Sequence, residues 1–321
     1  MNKTSQRRLN LIFGLVLSVL LLWLLYKQVT AQLAEVRQQT GGDITRLGDV
    51  VHLTPVWLYV ALGLLPLNLG LEARRWQMLA SAAQPITFRQ ALASYLAGIA
   101  GSVITPNRIG EYPARILYLK RESTYRLATV AILGAAAQML ALFLFGAVGF
   151  AYYLTVQPAW WAQASAIACL VGLVVIALLY FRFEAWLPRL QRWKWAARFV
   201  VYGGALMRFP RNKSWNILLL SMVRFAVFTL QYLLLMRWMG VEIPAGAGFC
   251  LAALFFWAMA VIPSVALAEL GLRGQVSLFL FGAFSQNTIG ILGGALALWG
   301  INLVLPALAG SLLLWRVRLL R

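Results

Sequence analysis

The sequence predicts an all-α integral membrane protein with six transmembrane helices plus two re-entrant helical hairpins, arranged as inverted-topology repeats. Three observations predict it. First, 62% of the 321 residues are hydrophobic and only 12% are charged, where soluble domains carry roughly 25% charge. Second, several apolar runs reach the ~18 residues that call for a membrane-spanning helix. Third, a polar motif interrupts the apolar chain twice. It reads Ile104-Thr105-Pro106-Asn107-Arg108-Ile109-Gly110-Glu111-Tyr112-Pro113-Ala114-Arg115, and again Val261-Ile262-Pro263-Ser264-Val265-Ala266-Leu267-Ala268-Glu269-Leu270-Gly271-Leu272-Arg273. Each copy has Pro, then after a short run a small residue, Glu, three residues and Arg. Ionisable residues among membrane helices are costly and mark functional sites.

The formal charge of +19 comes from 28 basic residues against 9 acidic ones. They lie between the apolar runs, as the positive-inside rule requires, so the charge points to cytoplasmic loops and not to nucleic acid. Cys169 and Cys250 lie in apolar runs without metal-ligand spacing and read as small buried hydrophobes. No cofactor is expected.

Leu9–Tyr26 follows Lys3, Arg7 and Arg8. It is longer than the roughly 7–15-residue core of a signal peptide, so a retained first span is expected, with the N-terminus cytoplasmic. The charge-balanced stretch 27–53 goes outside. Thr54–Leu71 returns inward, with Glu72, Arg74, Arg75 and Trp76 as a basic and aromatic anchor at the inner interface.

Phe88–Pro106 carries small residues at helical spacing: Ala93, Ala97 and Gly101, and Ser94, Gly98 and Ser102. That suits close helix packing. Pro106 ends this helix, and the arm Pro113–Leu119 is too short to cross ~30 Å of hydrocarbon. Lys120, Arg121 and Arg126 then mark the cytoplasm again, so the chain enters and leaves on one side. Such a broken segment is tolerated only when buried in protein or lining a wet cavity. Asn107 and Ser264 are the expected helix caps of the two hairpins.

Leu127–Leu154 goes outward to Trp160 and Trp161, and Ala164–Phe181 comes back. The segment 182–213 is the most basic of the chain. Trp186, Leu190, Trp193, Ala197 and Val200 share one helical face, as expected of an amphipathic linker on an anionic inner leaflet. Trp215–Trp238 goes outward with Arg224 inside it. Gly246–Pro263 enters from outside, breaks at Ser264–Gly274, and Gln275–Phe284 returns. Ile291–Trp315 ends inside, so the C-terminus is cytoplasmic. The chain is thus one polytopic domain, 1–321. It has a first repeat at 54–154, the cytoplasmic linker at 182–213, and an inverted second repeat at 214–315. Such repeats place a site near the membrane midplane.

The candidate site residues are Asn107, Arg108, Glu111, Arg115, Arg224, Glu269 and Arg273. Glu111 with Arg115 and Glu269 with Arg273 are each four apart and can pair on one turn. Arg108 and Arg224 are then left over, a surplus of two positive charges. A phosphate-bearing headgroup would neutralise it at a helix N-terminus flanked by arginines. A salt-bridge lock between the repeats is the structural alternative. Catalysis is not expected. The lone histidine, His52, lies in an outer loop, metal-ligand spacing is absent, and each glutamate has an arginine to hold it ionised.

These residues resemble the membrane domain of bacterial lysylphosphatidylglycerol synthases, a flippase-like family that includes stand-alone members. The resemblance runs from about Thr54. It rests on Arg75-Trp76, on Pro106-Asn107-Arg108-Ile109-Gly110-Glu111 with Arg115, and on Pro263 followed by Leu270-Gly271-Leu272-Arg273. Two departures stand out: Gly274 occupies the place of the family's second-motif Glu, and the chain stops at Arg321 without the synthases' soluble aminoacyl-transfer domain. The resemblance implies translocation of a phosphate-containing lipid, a phospholipid or polyprenyl phosphate, between leaflets of a bacterial cytoplasmic membrane. A non-transporting accessory or scaffold subunit for a lipid-modifying enzyme is the alternative. Self-association is left open.

Overall fold

A computed structural model describes residues 55–103, 110–119, 124–182, 211–262 and 268–314, together with the helical residues Trp23, Lys27 and Thr30. The expected first span Leu9–Tyr26 lies almost wholly outside the described residues. The linker residues 183–210, both motif tips (104–109 and 263–267) and the terminal arginines lie outside them altogether.

All described secondary structure is helical. The elements are α1 (Pro55–Ala80), α2 (Phe88–Ser102), α3 (Glu111–Tyr118), α4 (Thr124–Val156), α5 (Trp160–Phe181), α6 (Arg211–Trp238), α7 (Ala245–Val261), α8 (Ala268–Phe281) and α9 (Thr288–Trp299). A π-helical turn, Gly300–Val304, continues α9 directly into α10 (Leu305–Leu314). Among the described residues, five helices are long and apolar enough to cross a membrane: α1, α4, α5, α6 and the α9–α10 run. Their composition is that of a multi-pass membrane protein. The 17-residue α7 is a shorter apolar helix, and α2, α3 and α8 are shorter still.

Several boundaries differ from the sequence-based expectation. The helix α1 runs nine residues beyond Leu71 and takes Glu72, Arg75 and Trp76 into the bundle, where each is at most 3% exposed. They are not an interfacial anchor, because the helix continues to Ala80 and only Arg74 of that group is exposed. The N-cap of α3 is Gly110, so Asn107 is not the cap. Likewise α8 starts at Ala268, so Glu269 and Arg273 lie within a helix and not in a break extending to Gly274.

The packing is cross-wise. α1 packs on α6, α2 on α10, and α7 on α4, so α2 and α7 are each seated against the last helix of the other half. α1 and α6 run antiparallel: Asn68 bonds Arg224, while Ala61, seven residues earlier, bonds Gln231, seven residues later. Small residues permit these approaches, as expected between apolar helices that gain little from burial alone. A Cβ on Gly310 would sit 2.0 Å from the Leu96 carbonyl, and one on Gly149 would sit 2.7 Å from the Cys250 carbonyl. The predicted small-residue stripe does the same for α3: a Cβ on Gly98 would meet Arg115 Cγ at 2.5 Å, and one on Gly101 would meet Ala114 Cβ at 2.5 Å. α5 packs on α4 and turns Leu170, Val171, Val174 and Leu178 outward, the apolar surface lipid tails require. Trp160 is 80% exposed at its start, whereas Trp161 packs against Tyr153 and Phe279. Cys169 and Cys250 are free thiols.

Candidate functional site

Glu72, absent from the expected site, is its hub. Its Oε1 accepts from Arg75 Nη2 and from Arg115 Nη1, each at 2.8 Å, and its Oε2 lies 3.5 Å from Arg224 Nε. The expected turn-to-turn pair is present as well, with Arg115 Nη2 donating to Glu111 Oε1. A carboxylate that is 1% exposed needs this company, because an unpaired buried charge costs several kcal/mol. One position on α1 thereby gathers arginines from α1, α3 and α6.

Each arginine is then held by other groups. Arg75 Nη1 donates to the Gly134 carbonyl at 3.1 Å and to Ser221 Oγ at 3.0 Å, tying α1 to α4 and α6. The Arg115 guanidinium lies over Tyr95 at 4.6 Å, Tyr112 at 5.2 Å and Trp76 at 5.5 Å, within cation–π range. Trp76 Nε1 donates to Ser94 Oγ, whose hydroxyl donates to the Arg115 carbonyl, so the stripe on α2 also grips the backbone of α3.

Arg224 is not left over. Its Nε donates to Asn68 Oδ1 at 3.0 Å, Nη1 to Gln138 Oε1 at 3.2 Å and Nη2 to Tyr95 Oη at 3.3 Å. Its side chain remains 19% exposed, and it opens into a cavity of about 180 Å³. Glu111 and Arg273 line the same cavity, as do Asn68, Tyr95, Ser102 and Asn302. Leu69, Ile99, Phe228, Phe256, Met259, Leu298, Trp299 and Leu303 complete the wall. Three of the seven expected site residues thus meet at one cavity between the two halves. Arg115 stands behind Glu111. Asn107, Arg108 and the side chain of Glu269 lie outside the described residues.

Among the described residues the cluster has four guanidiniums (Arg75, Arg115, Arg224, Arg273) against two carboxylates (Glu72, Glu111), a surplus of two positive charges. No group of three or more His, Cys, Asp or Glu with metal-binding potential occurs among the described residues. Sequence reasoning missed Glu72 and Arg75 because they close an apolar run and read as an interface. It missed Asn68, Gln138, Gln231 and Asn302 because they are uncharged. Their signal was the same one used for Arg224, a polar side chain inside an apolar helix.

The family model of the lysylphosphatidylglycerol synthase TM region matches residues 11–318, nearly the whole chain. No curated protein matches it.

Proposed function

The chain belongs to the lysylphosphatidylglycerol synthase TM-region family, and from that premise we propose that it binds a phosphate-containing lipid and moves it between leaflets. The observation that carries this reading is the shared cavity of Arg224, Arg273 and Glu111. Arg224 and Arg273 hold the phosphate by charge-assisted hydrogen bonds. Glu111 lines the same cavity and tempers its positive charge. Arg108 and Asn107, just before Glu111, and Glu269, one turn before Arg273, join the same site by their place in the sequence.

A volume of about 180 Å³ is smaller than the roughly 300–1,000 Å³ of a pocket that swallows a whole drug-sized ligand. It takes a headgroup while the tails stay in the bilayer. The Glu72–Arg75–Arg115 group, at most 3% exposed, serves as the lock, so the headgroup and lock readings divide the charges between them.

The α2–α3 and α7–α8 pairs act as re-entrant hairpins of two inverted repeats. The antiparallel α1–α6 pair and the crossed seating of α2 on α10 and α7 on α4 support this. With the positive-inside rule, both termini face the cytoplasm of a bacterial inner membrane, and the linker 182–213 lies on its anionic leaflet.

The test is native mass spectrometry of retained lipids, followed by a leaflet-exchange assay with labelled phospholipid and polyprenyl phosphate in liposomes. Retention and exchange by the wild type, both lost in Arg224→Gln and Arg273→Gln, are expected. A folded protein that moves neither lipid, yet co-purifies with a lipid-modifying enzyme, overturns transport in favour of an accessory subunit.

A further inference from the structure

Two prolines disturb the helices beside the cavity. Pro66 lies inside α1. It has no N–H for the Leu62 carbonyl, and its ring crowds the carbonyls of that turn. The neighbouring Ala61 carbonyl accepts from Gln231 Nε2 at 2.8 Å, the kind of side-chain relief that lets a membrane helix tolerate proline. Pro306 lies in the continuous α9–α10 run. Its missing N–H would have served the carbonyl of Asn302, four residues back. There the chain is wound as a π turn over Gly300–Val304, with the Leu305 N–H reaching the Gly300 carbonyl. Such turns recur at functional sites.

The two disturbed turns are joined by amides. Gln231 Oε1 accepts from Asn302 Nδ2 at 2.9 Å, and the same nitrogen also donates to the Leu298 carbonyl at 3.3 Å. Asn302 Oδ1 accepts from Asn68 Nδ2 at 2.9 Å, and Asn68 Oδ1 accepts from Arg224 Nε at 3.0 Å. The direction of this chain is determined at both ends. Backbone carbonyls only accept and a guanidinium only donates, so turning any one amide over sets oxygen against oxygen or N–H against N–H. Gln231 is 0% exposed and Asn68 is 2% exposed, so a broken link is not rescued by water and costs the desolvation of a buried polar group.

We propose that Gln231, Asn302 and Asn68 form a polarised amide ladder that aims the Arg224 guanidinium into the cavity, with Asn302 the positioning residue at its centre. This rests on the reading that Arg224 holds the lipid phosphate. The ladder fixes Nε, while each terminal nitrogen spends one N–H on Gln138 or Tyr95 and keeps a second for the anion. Gln231 does not line the cavity, so any effect it has on the ligand travels through Asn302 and Asn68.

The experiment measures retention of labelled phosphatidylglycerol by the purified protein in phosphatidylcholine nanodiscs, with thermal unfolding recorded in parallel. Arg224→Gln is expected to weaken retention about tenfold or more, and Asn302→Leu several-fold. In the Arg224→Gln background, Asn302→Leu should add nothing, because residues acting through one another are non-additive. Gln231→Met keeps the side-chain shape and breaks the ladder at its far end, so it should also weaken retention. Gln231→Glu, protonated in this apolar setting, still accepts from Asn302 and donates to Ala61, and should restore it.

Equal losses from Asn302→Leu with and without Arg224 overturn the ladder, as does Gln231→Met binding like the wild type. If Asn302→Leu fails to fold, the contrast between Gln231→Met and Gln231→Glu decides alone. If Arg224→Gln retains lipid normally, the binding reading itself falls, and the ladder's role falls with it.

Discussion

Arg115 Nη1 donates to Glu72 Oε1 at 2.8 Å across 43 positions of sequence, and the same oxygen accepts from Arg75 Nη2 at 2.8 Å. One carboxylate therefore neutralises guanidiniums from two helices and stands beside a third. The expected outcome for Glu72→Gln is strong destabilisation. Removing the charge strands Arg75 and Arg115 in the bundle, a loss of about 3–5 kcal/mol for breaking a buried pair. A thermal unfolding midpoint in detergent, compared with wild type, checks this; an unchanged midpoint rules out Glu72 as the hub.

Glycines separate into two groups by what surrounds them. Gly310→Ala places a Cβ 2.0 Å from the Leu96 carbonyl, and Gly98→Ala places one 2.5 Å from Arg115 Cγ and 2.9 Å from the Glu111 carbonyl. Both should lower thermal stability, since backbone atoms must move. Gly63 and Gly70 on α1 have nothing within 4 Å of such a Cβ. Alanine there should raise stability by up to roughly 1 kcal/mol through helix propensity. Unfolding midpoints of all four variants read the contrast.

Pro306→Ala should separate stability from binding. It restores a backbone N–H to the helix interior, where proline costs about 3 kcal/mol relative to alanine, so the midpoint should hold or rise. With the π turn relaxed to α, Asn302 leaves its register with Asn68 and Gln231, and retention of phosphatidylglycerol should fall several-fold. A variant that keeps both unchanged shows that the π turn is incidental to the site.

Thiol labelling reads the topology. In a background with Cys169 and Cys250 replaced by Ala, Ser81→Cys and Tyr125→Cys should react with an impermeant reagent from one face of the membrane. Gly240→Cys and Ser285→Cys should react from the opposite face. That pattern requires the α2–α3 and α7–α8 pairs to return to the side they entered from. Labelling of Ser81→Cys and Tyr125→Cys from opposite faces makes the first pair a full crossing.

Glu111→Gln should raise retention of anionic lipid while lowering stability. It removes the carboxylate that, among the described residues, lines the cavity and frees a donor of Arg115, leaving a larger positive surplus in a poorly screened site. Nanodisc retention of labelled phosphatidylglycerol against phosphatidylcholine, with the unfolding midpoint alongside, measures both effects. A fall in retention assigns Glu111 to direct contact with the headgroup.

Much of the helical fold is legible in the sequence. Long apolar runs define α4, α5, α6 and the α9–α10 run, and the brevity of the arm after Pro106 announces α3. Glu111 and Arg115 pair as their spacing requires, because residues four apart share one face of a single turn. The Gly98 and Gly101 stripe does receive a helix at close range. The end of α1 was misread for a physical reason: a basic and aromatic cluster after an apolar run looks the same whether it meets lipid headgroups or other helices.

Features that depend on neighbours within a turn or on the apolar length of a segment are readable along the chain: helical class, the short arms and the Glu111–Arg115 pair. That Glu72 gathers three arginines and that Asn68 reaches Asn302 across 234 positions emerges once the helices are packed. Those contacts depend on how each helix is rotated about its axis and which helix lies opposite. That rotation follows the close packing at Gly98, Gly149 and Gly310 and the π turn that precedes Pro306. An uncharged amide in an apolar run has no partner readable from spacing, because its partner sits on another helix.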